Sequence, residues 1–391
     1  MLLLVACLIA MLTRRWGLPY SVGLVAAGVM IAFVPNAPSL PLSRDLIFNI
    51  FLPPLVFEAA LHLEWTRFRR ELPVTLLLSF AGVALAAAVV AMGMHALAGW
   101  SWIGATLFGV LIAATDPVSV IASFREIKVE PRLSMLVESE SLLNDAVVAV
   151  AFAVLAAIAV GASTSAMSVA PAFLWTLFGA IVVGGATSGL VLLIAGRTSD
   201  HLVEITLTTI AAYGSFLVAE HVHASGVLAS LTAGLVIGNF GRLGSISDEG
   251  RDYVLSFWEY AAFLANSFVF ILIGMSVAAQ PIHEAGLATA AAAMGLVLLG
   301  RLVAVYPLAS LFRWSSLAVS TAYQHVLFWG GLRGALALAL SLALPATVPE
   351  RQAIIVTAFI VVAFSIFVQG LTMPRLVAWL RLGASPPKPA A

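Results

Sequence analysis

Residues 138–150 read ESESLLNDAVVAV and run on without a break into AFAVLAAIAV, residues 151–160. Two glutamates, an asparagine and an aspartate thus open a segment that is otherwise built for hydrocarbon. A carboxylate at the centre of a membrane helix costs about 3 kcal/mol on insertion scales unless it is paired, protonated or wet. On a helix, Ser141 and Asp145 are i and i+4 and share a face, and Glu138, two turns before Asp145, falls on it too. Glu140 and Asn144 form a second i, i+4 pair, rotated from the first. Five hard oxygen-bearing side chains therefore crowd two turns. Capping at a membrane interface would account for Glu138 and Ser139. It does not account for Asp145, which is followed by an uninterrupted apolar run.

The rest of the chain has the same character. Of 391 residues, 62% are hydrophobic and 10% charged, and the mean hydropathy is +1.07. Soluble domains carry about 25% charged residues, so this sequence cannot cover a water-facing surface and reads as a polytopic membrane protein. Nineteen basic and nineteen acidic residues cancel, which leaves no basic footprint for nucleic acid. A single cysteine, Cys7, excludes an internal disulfide and a cysteine-rich metal site. No metal-ligand spacing, Walker loop, dinucleotide fingerprint or nucleophile elbow occurs. The expectation is a non-enzyme with no resident cofactor.

Breaks at charges, prolines and polar clusters divide the chain into thirteen expected spans, near 1–13, 18–34, 45–63, 72–98, 101–123, 133–161, 170–197, 202–221, 223–240, 253–279, 284–312, 317–345 and 351–381. The first, MLLLVACLIAML, resembles a signal peptide, but TRRWG follows it and no small-residue cleavage site does, so it reads as a short first span. The tail from 383 to 391 is proline-rich and expected to be disordered and cytoplasmic. With the N-terminus outside, inner loops and the C-terminal region hold fifteen Arg and Lys, and outer loops hold only Arg44 and Arg351. Arg301 and Arg333 lie within spans. This asymmetry predicts N-terminus out and C-terminus in.

Spans 5 and 12 lie seven apart and so run in opposite directions. Each carries residues that interrupt a helix: ATDPVSV at 114–120 and GGLRGA at 330–335. Proline removes an amide donor and disfavours α geometry at the preceding residue, so the backbone at Thr115 and Asp116 should be unwound with free carbonyls. A matched pair of Gly- or Pro-interrupted helices is the sequence pointer to a secondary transporter's binding site. Arg333, always charged, needs a carboxylate or the negative end of a broken helix. Glu140 is the expected partner. In FLPPLVFEAALHLEW, Glu58 follows the Pro53–Pro54 pair and could line an ion pathway, as could Glu138. Arg301 and Glu259 read as structural partners or interfacial groups, and His325 and Trp329 as packing. His201, His221, His223 and His283 fall at span ends and read as bland.

Taken together, FLPPLVFEAAL (51–61), ATDPVSV (114–120), ESLLNDA (140–146) and GLRGA (331–335) resemble the monovalent cation:proton antiporter superfamily, in its NhaP/NHE-like sodium/proton exchanger branch. The resemblance extends over essentially the whole chain. It implies an all-α fold of about thirteen transmembrane helices, with inverted six-helix repeats and two discontinuous crossing helices. It implies a core part (about 72–161 and 284–381) moving against a dimerisation and scaffold part (about 1–63 and 170–279). Asp145 matches the ion- and proton-binding carboxylate, with Thr115, Asp116, Ser141 and Glu140 around the ion. Asn144 matches the asparagine of the electroneutral branch, and Arg333 the arginine expected to pair with Glu140. The implied function is electroneutral Na⁺ (or Li⁺)/H⁺ antiport in the inner membrane by a lipid-embedded homodimer. Cation and proton would compete for Asp145, because both draw on the same negative charge. Rival readings are a K⁺/H⁺ exchanger, a channel, and an intramembrane aspartyl protease using Asp116 and Asp145.

Overall fold

The computed structural model of the chain describes residues 2–16, 18–34, 42–116, 120–121, 124, 129–161, 166–198, 200–241, 246–280 and 286–383. Residue 117, the proline of span 5, and the tail 384–391 lie outside the described residues. The elements in order are α1 (Leu2–Trp16), α2 (Tyr20–Ala32), α3 (44–62), α4 (Trp65–Ala98), α5 (Trp102–Leu111), α6 (Pro131–Ala159), α7 (Ala166–Ala195), α8 (His201–His221), α9 (Gly226–Phe240), α10 (Asp248–Ala279), α11 (Leu287–Ser310), α12 (Thr321–Trp329), α13 (Ala335–Leu342) and α14 (Arg351–Trp379). Among the described residues there is no strand, only an isolated bridge between Val129 and Gly383.

Among the described residues seven helices are long and apolar enough to cross a membrane, and five shorter apolar helices accompany them. Each expected span meets a helix in order, and α12 and α13 are the two halves of span 12. Two helices start earlier than hydropathy suggests. Helix α4 begins at Trp65, seven residues before the apolar run, because the polar segment TRFRRE is compatible with a helix and Arg67 pairs with Glu64 at 2.9 Å. Helix α10 begins at Asp248, where Ser247 caps it by accepting from the Gly250 N–H at 3.0 Å.

Helices α2 and α10 cross backbone against backbone. A Cβ added to Gly28 would lie 2.1 Å from the Ile271 carbonyl oxygen, and one added to Gly274 would lie 2.2 Å from that of Val25. Small residues permit such approach where no hydrophobic effect drives helices together. Helices α2, α3, α7, α8, α9 and α10 pack on one another, as do α4, α5, α6 and α11. Exposed tryptophans sit at both ends of the spans: Trp16, Trp314 and Trp379 at the arginine-rich end, Trp102 and Trp175 at the other. This is the pattern of an aromatic belt at each membrane interface.

Spans 5 and 12 are interrupted at mid-depth. Helix α5 ends at Leu111 and residues 114–116 are not helical; α12 ends at Trp329 and residues 331–334 are not helical before α13 begins. The two unwound stretches touch, the Asp116 N–H donating to the Leu332 carbonyl at 2.7 Å. Helix α14 supports this crossing from a π-helical turn, Ser365–Gly370. The Ser365 Oγ accepts from the Arg333 N–H at 2.6 Å, and the Gln369 side chain donates to the Trp329 carbonyl at 3.1 Å. The Asp116 and Arg333 N–H groups and the Leu332 and Trp329 carbonyls at the breaks thus find partners within the protein.

Candidate cation site

The unwound stretch of span 5 lies against the polar turns of α6. Thr115 Oγ1 donates to Ser141 Oγ at 3.0 Å, and Asn144 Nδ2 donates to Thr115 Oγ1 at 3.0 Å. Asn144 Nδ2 also lies 3.4 Å from Glu140 Oε1. The asparagine is thus drawn sideways into a buried network with Thr115 and Glu140. The next residue, Asp145, faces a cavity of about 800 Å³. The Oδ1 atoms of Asn144 and Asp145 are buried and have no hydrogen-bond partner among the described residues.

The cavity is walled by α1, α2, α3, α6, α10, α13 and the unwound stretch of span 5. Five carboxylates line it: Asp145, Asp116, Glu138, Glu58 and Glu259. Among the described lining residues none is Lys, Arg or His. Low-dielectric walls bearing one sign of charge focus the field and concentrate cations. At the mouth, His62 Nδ1 is 3.4 Å from Glu58 and its Nε2 is 3.8 Å from Glu259, whose side chain is 58% exposed.

The buried arginines are arranged differently from the expectation. Glu140 does not pair with Arg333. Its partner is Arg301 on α11, whose Nη1 and Nη2 donate to Oε1 at 2.5 Å and Oε2 at 2.8 Å. Arg301 Nε and Nη2 also donate to the Leu327 carbonyl at 3.2 and 2.8 Å, so one guanidinium ties α6, α11 and the end of α12 together. Ser79 of α4 donates to the Glu140 backbone carbonyl at 3.2 Å. Arg333 instead points into the break of span 5, its Nη1 donating to the Ala113 and Ala114 carbonyls at 2.8 and 3.1 Å. It thus holds the negative end of half-helix α5, the other of the two partners its charge could take.

Physical reasons separate the two arginines. The Arg301 side chain enters the crossing through space that a side chain on the break would occupy: a Cβ at Gly331 would lie 2.6 Å from Arg301 Nε. Arg333, two residues on in the extended stretch, is carried to the other side of the crossing. The sequence signal for Arg301 was its place inside an apolar span. Ser79 and Ser365 gave none, since an isolated hydroxyl in a membrane helix is commonly bonded to its own backbone, and nothing near Gln369 in the sequence points to the Trp329 carbonyl. Glu259 faces His62, not Arg301. His325 shares a 2.6 Å hydrogen bond with Tyr306, and Trp329 donates to Thr372 at 2.8 Å. Thr115, Asp116, Ser141, Asp145 and Glu140 all meet at the crossing, while Glu58 and Glu138 line the approach to it.

Comparison with known proteins extends this picture. A family model described as sodium/hydrogen exchanger, transmembrane, matches residues 2–379. The Na⁺/H⁺ antiporter ApNhaP of Aphanothece halophytica is 38% identical over 367 residues, covering 93% of this chain and 70% of that protein. The low-affinity Na⁺/H⁺ antiporter NhaS1 of Synechocystis sp. is 38% identical over 378 residues, covering 95% and 71%. The structure of the sodium proton antiporter MjNhaP1 from Methanocaldococcus jannaschii at pH 8 superposes with a TM-score of 0.76 at 19% identity, over 98% of this chain and 97% of that one.

Proposed function

Because the chain belongs to the sodium/hydrogen exchanger family, we propose that it exchanges Na⁺ or Li⁺ for H⁺, one for one and without net charge movement, across the cell's inner membrane. The observation that carries the stoichiometry is a charge count. Around the crossing, three carboxylates (Glu140, Asp116, Asp145) stand against two guanidiniums (Arg301, Arg333). One negative charge is left over, and one monovalent cation or one proton neutralises it. An aspartate in place of Asn144 would leave two. Asp145 is the exchangeable group, since Glu140 is locked to Arg301. Thr115, Ser141 and Asp116 supply the hard oxygens that suit Na⁺ or Li⁺.

The cavity opens at the ends of α1, α3 and α10 that carry the arginine-rich loops. With the N-terminus outside, this is an inward-facing state, and Glu58 and Glu138 mark the cytoplasmic approach. Alternating access follows if α4–α6 and α11–α14 move as a core against α1–α3 and α7–α10, the scaffold through which two copies would associate. Moving the site while its one charge is neutralised avoids carrying a bare charge through hydrocarbon.

The test is Na⁺-driven proton movement in proteoliposomes, with the membrane potential clamped at zero and then varied. The expected rate is independent of potential and absent in Asp145→Asn, which should fold normally. A rate that follows the potential would overturn the charge count. Full activity of Asp145→Asn would overturn the site, and exchange with K⁺ but not Na⁺ would change the cation.

A further inference from the structure

We propose that Gly334 is a positioning residue for cation binding: its missing side chain is what allows the Asp116 carboxylate to sit inside the crossing. The inference rests on reading Asp116 as part of the cation site. The glycines of GGLRGA suit a broken helix for their flexibility, but Gly334 does not use that freedom. Its φ of −140° and ψ of −151° are extended backbone that any residue can adopt. What it lacks is room. A Cβ there would lie 2.5 Å from both Cβ and Oδ2 of Asp116 and 2.8 Å from its Cγ.

Asp116 cannot easily yield. Rotating its side chain would move Oδ2 but not Cβ. Its backbone is tethered by the 2.7 Å hydrogen bond from its N–H to the Leu332 carbonyl, two residues before Gly334. Ordinary contact begins at 3.4 Å, so one methyl must push the two stretches apart by the difference from 2.5 Å, about 0.9 Å. Binding constellations need their groups held within about 0.5 Å. Both residues line the cavity, so the displacement falls on the cation's ligands. Gly331 serves the same end for Arg301. The two glycines are close-approach positions for two charged side chains, one on each side of the crossing.

Gly334→Ala should raise the apparent KM for Na⁺ between about tenfold and a hundredfold, the scale of a misplacement near 1 Å, with the rate at saturating Na⁺ much less affected. Gly295→Ala, on α11 where a Cβ meets nothing within 4 Å, should behave as the wild type. A wild-type KM in Gly334→Ala, with Asp145→Asn inactive in the same assay, would overturn the positioning role and leave the site reading intact. Activity in Asp145→Asn would overturn the site reading itself. Thermal unfolding keeps the proposal testable if the variant is too unstable to assay. The methyl should lower Tm in the wild-type background and leave Tm unchanged in Asp116→Gly, where the atoms it would meet are gone. An equal loss in both backgrounds would mean that the methyl meets something other than Asp116, and the proposal would fall.

Discussion

Replacing Arg301 by methionine tests the internal wiring of the crossing. The guanidinium makes four hydrogen bonds, two to Glu140 at 2.5 and 2.8 Å and two to the Leu327 carbonyl at 3.2 and 2.8 Å. Without it, Glu140 is left charged at 1% exposure. Its remaining close neighbour, Asn144 Nδ2, is 3.4 Å away, too long to compensate. Removing one partner of a buried pair costs about 3–5 kcal/mol, and the orphaned carbonyl adds about 1–3 kcal/mol. Replacing both partners by apolar residues removes the first cost and leaves the second, so Glu140→Leu/Arg301→Met should recover about 3 kcal/mol relative to Arg301→Met. The same cycle between Glu140 and Arg333 should show weaker coupling than that between Glu140 and Arg301, because no hydrogen bond joins those side chains. The assay is equilibrium unfolding in mixed micelles, followed by tryptophan fluorescence. Transport gives an independent readout. Glu140→Leu alone cancels the residual negative charge and should lose cation binding, whereas the double variant keeps one negative charge and should retain slow, potential-independent exchange. Strong coupling of Glu140 to Arg333 and weak coupling to Arg301 would refute the reasoning.

Two further perturbations follow. Arg333→Met frees the Ala113 and Ala114 carbonyls and adds one uncompensated negative charge to the site, so exchange measured with Na⁺ should fall at least about tenfold and become sensitive to the potential. At the start of α14, Glu350 accepts from the Ser101 N–H at 2.9 Å and the Ser101 Oγ at 2.7 Å. Burial pushes its carboxyl up, but the Ser101 hydrogen bonds outweigh this and hold it below its ordinary value of 4.5. A depressed carboxylate contributes stability above its unfolded pKa and loses it as the pH falls through the folded value. Glu350→Gln should therefore lower Tm at neutral pH and flatten the loss of Tm on acidification below about pH 4.5, and an unchanged acid limb would refute this.

Much of the architecture is legible because a bilayer imposes a strong physical code. Hydropathy finds the helices. The errors at α4 and α10 arise because polar residues end a membrane but not a helix. The site is legible in part for the same reason. Asp145 stands out because an uninterrupted apolar run follows it, and Thr115 and Asp116 because a proline follows them. Ser79 and Ser365 are invisible in the sequence because a hydroxyl can bond its own helix backbone wherever it points, and Gln369 because its partner, the Trp329 carbonyl, is set by a break in another span.

The amino-acid sequence was enough to read that the chain crosses the membrane many times, that spans 5 and 12 are broken, and that carboxylates and Arg333 lie near those breaks. These follow from composition and local backbone chemistry. It did not determine which charges meet. The chain pointed to Arg333 on span 12 as the partner of Glu140, whereas the structure pairs Glu140 with Arg301 on span 11. The choice depends on how the helices rotate and cross, and on the space that Gly331 and Gly334 leave open. The folded chain settles that, because pairing at a crossing is decided by small differences in distance between elements remote in sequence.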